Sequence, residues 1–136
     1  MRPCFLVVES EHAATISVRK LVIESAKFNV ITAYSLEEAL ASLQRFPNLD
    51  GIVLDSQLKG PPCRETIGQL RTANAKIPIV TISPSGDDPC GDEQYHVSNF
   101  DPRQLLDALE TICPREMRQI EKHDEEISRR PPATDA

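Results

Sequence analysis

The sequence predicts an α/β protein: a doubly wound sheet of five parallel strands with helices on both faces. Three observations carry this. Apolar runs of strand length alternate with segments of helical periodicity, the pattern of a parallel sheet covered on both sides. The run Ile52-Val53-Leu54 is continuously apolar, as a strand buried on both faces must be, and it ends in Asp55. Glu9, Ser83 and Ser98 end other apolar runs in the same way. Open α/β sheets gather their chemistry at the carboxyl ends of strands, so these side chains are expected to converge on Asp55.

Cys4 to Val8 reads as the first strand, and Glu9-Ser10-Glu11 as a polar loop. From His12 to Ala26 the positions Ile16, Leu21, Val22 and Ile23 suit a helix packed on a sheet. Val30 to Thr32 is the second strand. Ser35-Leu36-Glu37-Glu38 opens a helix: Ser35 can accept from a backbone N–H and Glu38 can reach back to the cap. Pro47 ends that helix. The third strand closes at Asp55, and Pro61 or Pro62 can open the third helix, with Ile67 and Leu70 on its buried side. Ile77 to Ser83 is the fourth strand. The segment from Pro84 to Gln94 is short for a crossover and holds two prolines and two glycines. The helix that would sit there, the fourth, is expected to be shortened or missing, leaving an acidic, solvated loop. An exposed apolar patch is expected where that helix would have packed. Tyr95 to Asn99 is the fifth strand. Asp101-Pro102 then starts the last helix, with Leu105, Leu106, Leu109 and Ile112 on its apolar face. The common order for five such strands, 2-1-3-4-5, sets the ends of strands 1, 3 and 4 side by side.

Residues 1–113 are expected to form one domain, and 114–136 a charged helical extension with a disordered tail. The 136 residues carry a formal net charge of −6 without a basic block, which argues against nucleic acid as a direct partner. No run reaches membrane-spanning length and no signal peptide is visible, so a cytoplasmic location is expected. Cys4, Cys63, Cys90 and Cys113 are scattered without a CxxC pair. A zinc site has no support, and reduced, buried thiols are the expectation in that compartment. His12, His96 and His123 stand without a partner at catalytic or ligand spacing.

With those residues in place, the chain resembles the receiver domain of bacterial response regulators, a flavodoxin-like fold. The carriers are Val7-Val8-Glu9-Ser10-Glu11, Val53-Leu54-Asp55, Pro78-Ile79-Val80-Thr81-Ile82-Ser83 and Tyr95-His96-Val97-Ser98-Asn99-Phe100, and the match spans residues 4–113. The resemblance implies two-component phosphorelay signalling, with a histidine kinase or other signalling protein as partner and a homodimer as an alternative. It places the phosphoacceptor at Asp55, the switch hydroxyl at Ser83 and the switch aromatic at Tyr95. It implies Mg²⁺ held by Glu9, Asp55 and the backbone carbonyl of Gln57, with Glu11 as a further candidate.

Two departures from the family pattern matter. Ser10 stands where the second metal-binding acid is usual, so Mg²⁺ should be weakly held or absent. Ser98 replaces the lysine that pairs with the phosphoryl group, and a hydroxyl cannot do a cation's work there. The expected function is thus an atypical receiver, not an enzyme. The alternative is a phosphorylation-independent pseudo-receiver that acts as an interaction module. A flavin binder or small flavodoxin-like enzyme is disfavoured: Glu9-Ser10-Glu11-His12 is no phosphate loop, and GxGxxG and P-loop motifs are absent.

Overall fold

The computed structural model describes residues 2–10, 18–83, 90–91, 93–98 and 101–113, and for Ser98 the backbone only. Strands β1 (Cys4–Val8), β2 (Asn29–Ala33), β3 (Gly51–Asp55), β4 (Ile79–Ser83) and β5 (Tyr95–Ser98) form one parallel sheet in the order β2-β1-β3-β4-β5. Helices α1 (Val18–Ser25), α2 (Leu36–Arg45), α3 (Cys63–Ala73) and α4 (Pro102–Ile112) complete the described elements. The expected fold class and strand order are those observed.

Side-chain alternation along the strands divides the core between two faces. Leu6 and Val8 of β1, Ile52 and Leu54 of β3 and Ile79 of β4 pack under α2 and α3 with Leu43, Ile67 and Leu70. Phe5 and Val7, Val53, Val80 and Ile82, and Val97 point the other way, against Ile23 of α1 and Leu105 and Leu109 of α4. Both faces of the three central strands are therefore dry, which is why β3 reads as an unbroken apolar run. Gly51 opens β3 because the Phe5 ring lies against it: a Cβ there would stand 3.0 Å from the ring.

The helix starts follow their sequence signals. Ser35 Oγ accepts from the Glu38 N–H at 3.1 Å, while the Glu38 carboxylate reaches past the cap to accept from the Tyr34 N–H at 2.6 Å. Pro62 precedes the first residue of α3 without a side-chain cap. Asp101 accepts from the Arg103 N–H at 2.9 Å ahead of Pro102.

Four expectations are corrected. Strand β4 begins at Ile79, two residues later than the apolar run suggested: Pro78 has no N–H to give the ladder, although its carbonyl accepts from the Ile52 N–H. Leu21 does not pack on the sheet; it and Val18 are about half exposed, at 52% and 55%. The cysteines are not all thiols: Cys63 and Cys90 form a disulfide, and Cys4 and Cys113 remain as thiols. Cysteine spacing carries no hint of that pairing, because only the fold brings the start of α3 beside the β4–β5 crossover.

The fourth correction concerns that crossover. Of its described residues Gly91 and Gln94 are exposed, as a solvated loop would have them, but Cys90 is buried and the Glu93 carboxylate is engaged rather than free in solvent. Cys90 joins the core under α2 and α3. The Glu93 carboxylate accepts from Thr81 Oγ1 at 2.6 Å and from the backbone N–H groups of Cys90 and Gly91 at 2.8 and 2.7 Å. Cys90 and Glu93 thus lie on the Ile79 and Thr81 face of β4. The expectations for residues 11–17, including Glu11 and Ile16, for Asp87, Asp88 and Asp92, and for the extension 114–136 lie outside the described residues.

Candidate functional site

The sheet register builds the site. Val8 of β1 lies beside Leu54 of β3, so the next residues, Glu9 and Asp55, emerge side by side at the carboxyl edge. Asp55 in turn pairs with Ile82, which sets Ser83 one step further along β4. Ser83 and Ser98 are register partners across β4 and β5. Ser83 is buried, as are both acids: Glu9 is 7% and Asp55 9% exposed. The turn after β3 closes tightly, with the Leu58 N–H donating to the Asp55 carbonyl at 3.1 Å and the Gln57 N–H donating to Asp55 Oδ1 at 2.8 Å. Ser10 Oγ accepts from the Lys59 N–H at 3.3 Å, tying the loop after β1 to the loop after β3.

Two carboxylates this close and this buried need a cation. Arg19 of α1 supplies it. Its Nη1 lies 3.0 Å from Glu9 Oε2 and 3.3 Å from Asp55 Oδ2, so one guanidinium nitrogen bridges both acids. Arg19 was not among the site residues expected from the sequence. The signal was its spacing: Arg19 lies one helical turn before Ile23, the residue of α1 that is fully buried, and so shares its sheet-facing side.

The Mg²⁺ that the resemblance implies does not fit this arrangement. Glu9 Oε2 and Asp55 Oδ2 are both turned onto Arg19, and Asp55 Oδ1 is held by the Gln57 N–H. Ser10 is neutral and engaged with Lys59. A divalent ion bridging the two acids would have to take the place of Nη1. Among the described residues no group of three or more His, Cys, Asp or Glu side chains is placed to hold a metal.

Tyr95 is not brought to this site. It starts β5 opposite Val80 and packs towards the α1–α4 face. There it lines an open groove of about 420 Å³ with Val97, Gln104, Asp107, Ala108 and Thr111. His96, next in β5, does have partners that the fold supplies: its Nδ1 is 2.7 Å from Thr81 Oγ1 and 3.9 Å from Glu93 Oε2. Burial alone would push the Glu93 carboxyl up, but hydrogen bonds from Thr81, Gly91 and Cys90 outweigh it and hold the carboxyl below its usual range. This second cluster ties the crossover to β4 and β5.

No family model and no curated protein matches the chain. Solved structures do. A CheY-like response regulator receiver domain from Methylobacillus flagellatus superposes with a TM-score of 0.71 at 21% identity, covering 82% of this chain and 99% of its own. A response regulator receiver protein from Sinorhizobium medicae gives 0.68 at 21% identity over 85% of this chain and 97% of its own. The CheY of a CheX–CheY–BeF3–Mg complex from Borrelia burgdorferi gives 0.68 at 20% identity, covering 81% and 88%. The fold is that of response regulator receiver domains. No described helix is long and apolar enough to cross a membrane.

Proposed function

We propose that this chain is a receiver module in two-component signalling and that Asp55 is the residue that accepts the phosphoryl group. The observation that carries the proposal is the position of Asp55: it ends the central strand β3, in register with Glu9 and one step from Ser83, in a fold shared with receiver domains. The donor is a histidine kinase or another phosphorylated signalling protein. A carboxylate oxygen of Asp55 attacks the donor phosphorus, the P–N bond of the phosphohistidine breaks, and its electron pair stays with the imidazole, which then takes up a proton. Ser83 stands where its hydroxyl can donate to the transferred group, and Arg19 is the nearby cation. The chain is the target of this transfer and a switch, rather than an enzyme with turnover. It works beside its kinase, without direct contact with nucleic acid or membrane.

The Borrelia CheY is described in a complex with a second protein, CheX. By analogy this chain signals through protein contacts, and the groove between Tyr95 and α4 is the open surface that such a contact fits. A second copy of the chain is the other partner this reading admits.

A second reading is favoured by the bridge itself. Arg19 already neutralises Asp55 at rest, and Ser98 stands where the family's lysine is expected, so a phosphorylation-independent interaction module is consistent with the site. Intact mass after incubation with acetyl phosphate separates the two. A phosphoryl mass gain lost in Asp55→Asn supports the switch. An unchanged mass, with partner binding indifferent to Asp55→Asn, supports the module.

A further inference from the structure

The acid pair of this fold carries its own cation. We infer that Arg19 is the resident counter-ion of the Asp55 pocket: its guanidinium takes the seat of a divalent metal and makes the site metal-independent. The inference rests on reading the Asp55 pocket as the functional site, and it concerns how that pocket is kept neutral.

Charge and space both point this way. Glu9 and Asp55 together carry two negative charges and Arg19 returns one positive, so the trio is left with a single net negative charge instead of two. Nη1 is within 3.3 Å of one oxygen from each acid. Mg²⁺ needs about six oxygens at roughly 2.0–2.1 Å and sheds its water reluctantly. The pocket offers two carboxylates already engaged, and a serine where a third acid would help. Arginine cannot be deprotonated to make way. Its planar guanidinium is also a strong partner for phosphate oxygens, so the group that neutralises Asp55 at rest can neutralise a phosphoryl group there without a metal. In that role Arg19 is a positioning residue for Asp55, and it supplies from α1 the positive charge that Ser98 cannot supply from β5.

The test is paramagnetic broadening of the 136-residue chain's amide spectrum by Mn²⁺, with Mg²⁺ competition. The wild type is expected to show no saturable broadening of Glu9, Ser56 or Gln57 at millimolar Mn²⁺. Arg19→Ala is expected to gain it, reversed by excess Mg²⁺, with an apparent affinity at least about tenfold above the wild type. Arg19→Gln, which keeps much of the side chain, gives the same comparison if Arg19→Ala does not fold. Saturable broadening in the wild type overturns the inference, because the guanidinium then excludes nothing. Silence in both wild type and folded variants overturns it too, because something other than Arg19 is excluding the ion. The phosphoacceptor proposal stands or falls separately. A wild type that excludes Mn²⁺, with an Arg19 variant that admits it, yet gains no mass from acetyl phosphate removes that proposal and leaves Arg19 as the counter-ion. A wild type that binds Mn²⁺ and gains mass does the reverse.

Discussion

Cys63 and Cys90 are joined by a disulfide whose α-carbons lie 5.6 Å apart, and the bond fastens the crossover after β4 to the first residue of α3. The bridge joins cysteines 27 positions apart in the chain. Chain-entropy arguments give such a closure about 3–4 kcal/mol, some of which native strain and residual unfolded structure usually remove. Urea unfolding with and without a dithiol reductant should show a loss of that order or less, reproduced by Cys63→Ser/Cys90→Ser. Denatured but unreduced protein should titrate two thiols, Cys4 and Cys113. In the folded protein both should alkylate slowly. Cys113 is buried, and the Cys4 thiol is pushed up by burial and by the nearby Asp50 carboxylate.

Glu93→Ala should destabilise the crossover by about 2 kcal/mol, because it orphans the N–H groups of Cys90 and Gly91 and removes the acceptor of the Thr81 hydroxyl. The same carboxylate gives acid sensitivity. Its folded pKa is lowered, so its contribution is fully present above its unfolded value of about 4.3 and is lost as pH falls through the lowered folded value. Unfolding midpoints measured from pH 6 downwards should fall less steeply in Glu93→Gln than in the wild type, across the window below about pH 4.3.

Gly51→Ala should cost about 1–3 kcal/mol. The added methyl meets the Phe5 ring at 3.0 Å and the Pro78 carbonyl at 3.4 Å, and Phe5 is fully buried, so the ring has little room to give. The loss should appear as a lower urea midpoint at unchanged slope. A smaller partner, Phe5→Leu, should soften the effect of the added methyl in a double-mutant cycle.

Asp101→Ala removes the acceptor of the Arg103 N–H and should cost about 1 kcal/mol. The change sits at the start of α4, which contributes no residue to the acid pair, so amide shifts around Glu9, Asp55 and Gln57 should stay where they are in the wild type. Movement of those signals would show that α4 and the pocket are coupled.

Much of this was legible in the sequence because it is written in local patterns. Strand-length apolar runs, the Ser35 and Asp101 caps and the strand-end acid pointed to the sheet and to Asp55 at a strand end, while the strand order came from the arrangement common to five-stranded sheets of this kind. What escaped depends on contacts far apart in the chain. Arg19 reaches Asp55 across a separation of 36 residues, and Cys63 reaches Cys90 across 27. Glu93 looked like one more acid in a solvated loop until Thr81 and two N–H groups were seen to surround its carboxylate. Leu21 erred the other way. Its helical spacing suited a sheet-facing position, but in α1 that face belongs to Arg19 and Ile23.

The central claim is that Asp55 accepts a phosphoryl group in a pocket neutralised by Arg19. The most direct test is the amide spectrum of the protein in metal-stripped buffer as beryllium fluoride, an acyl-phosphate mimic, is added. Saturable shifts are expected at Asp55, Gln57 and Ser83 without any divalent cation, absent in Asp55→Asn and weakened in Arg19→Ala. A wild-type spectrum that stays unchanged in stripped buffer and shifts only when Mg²⁺ is added would contradict the claim.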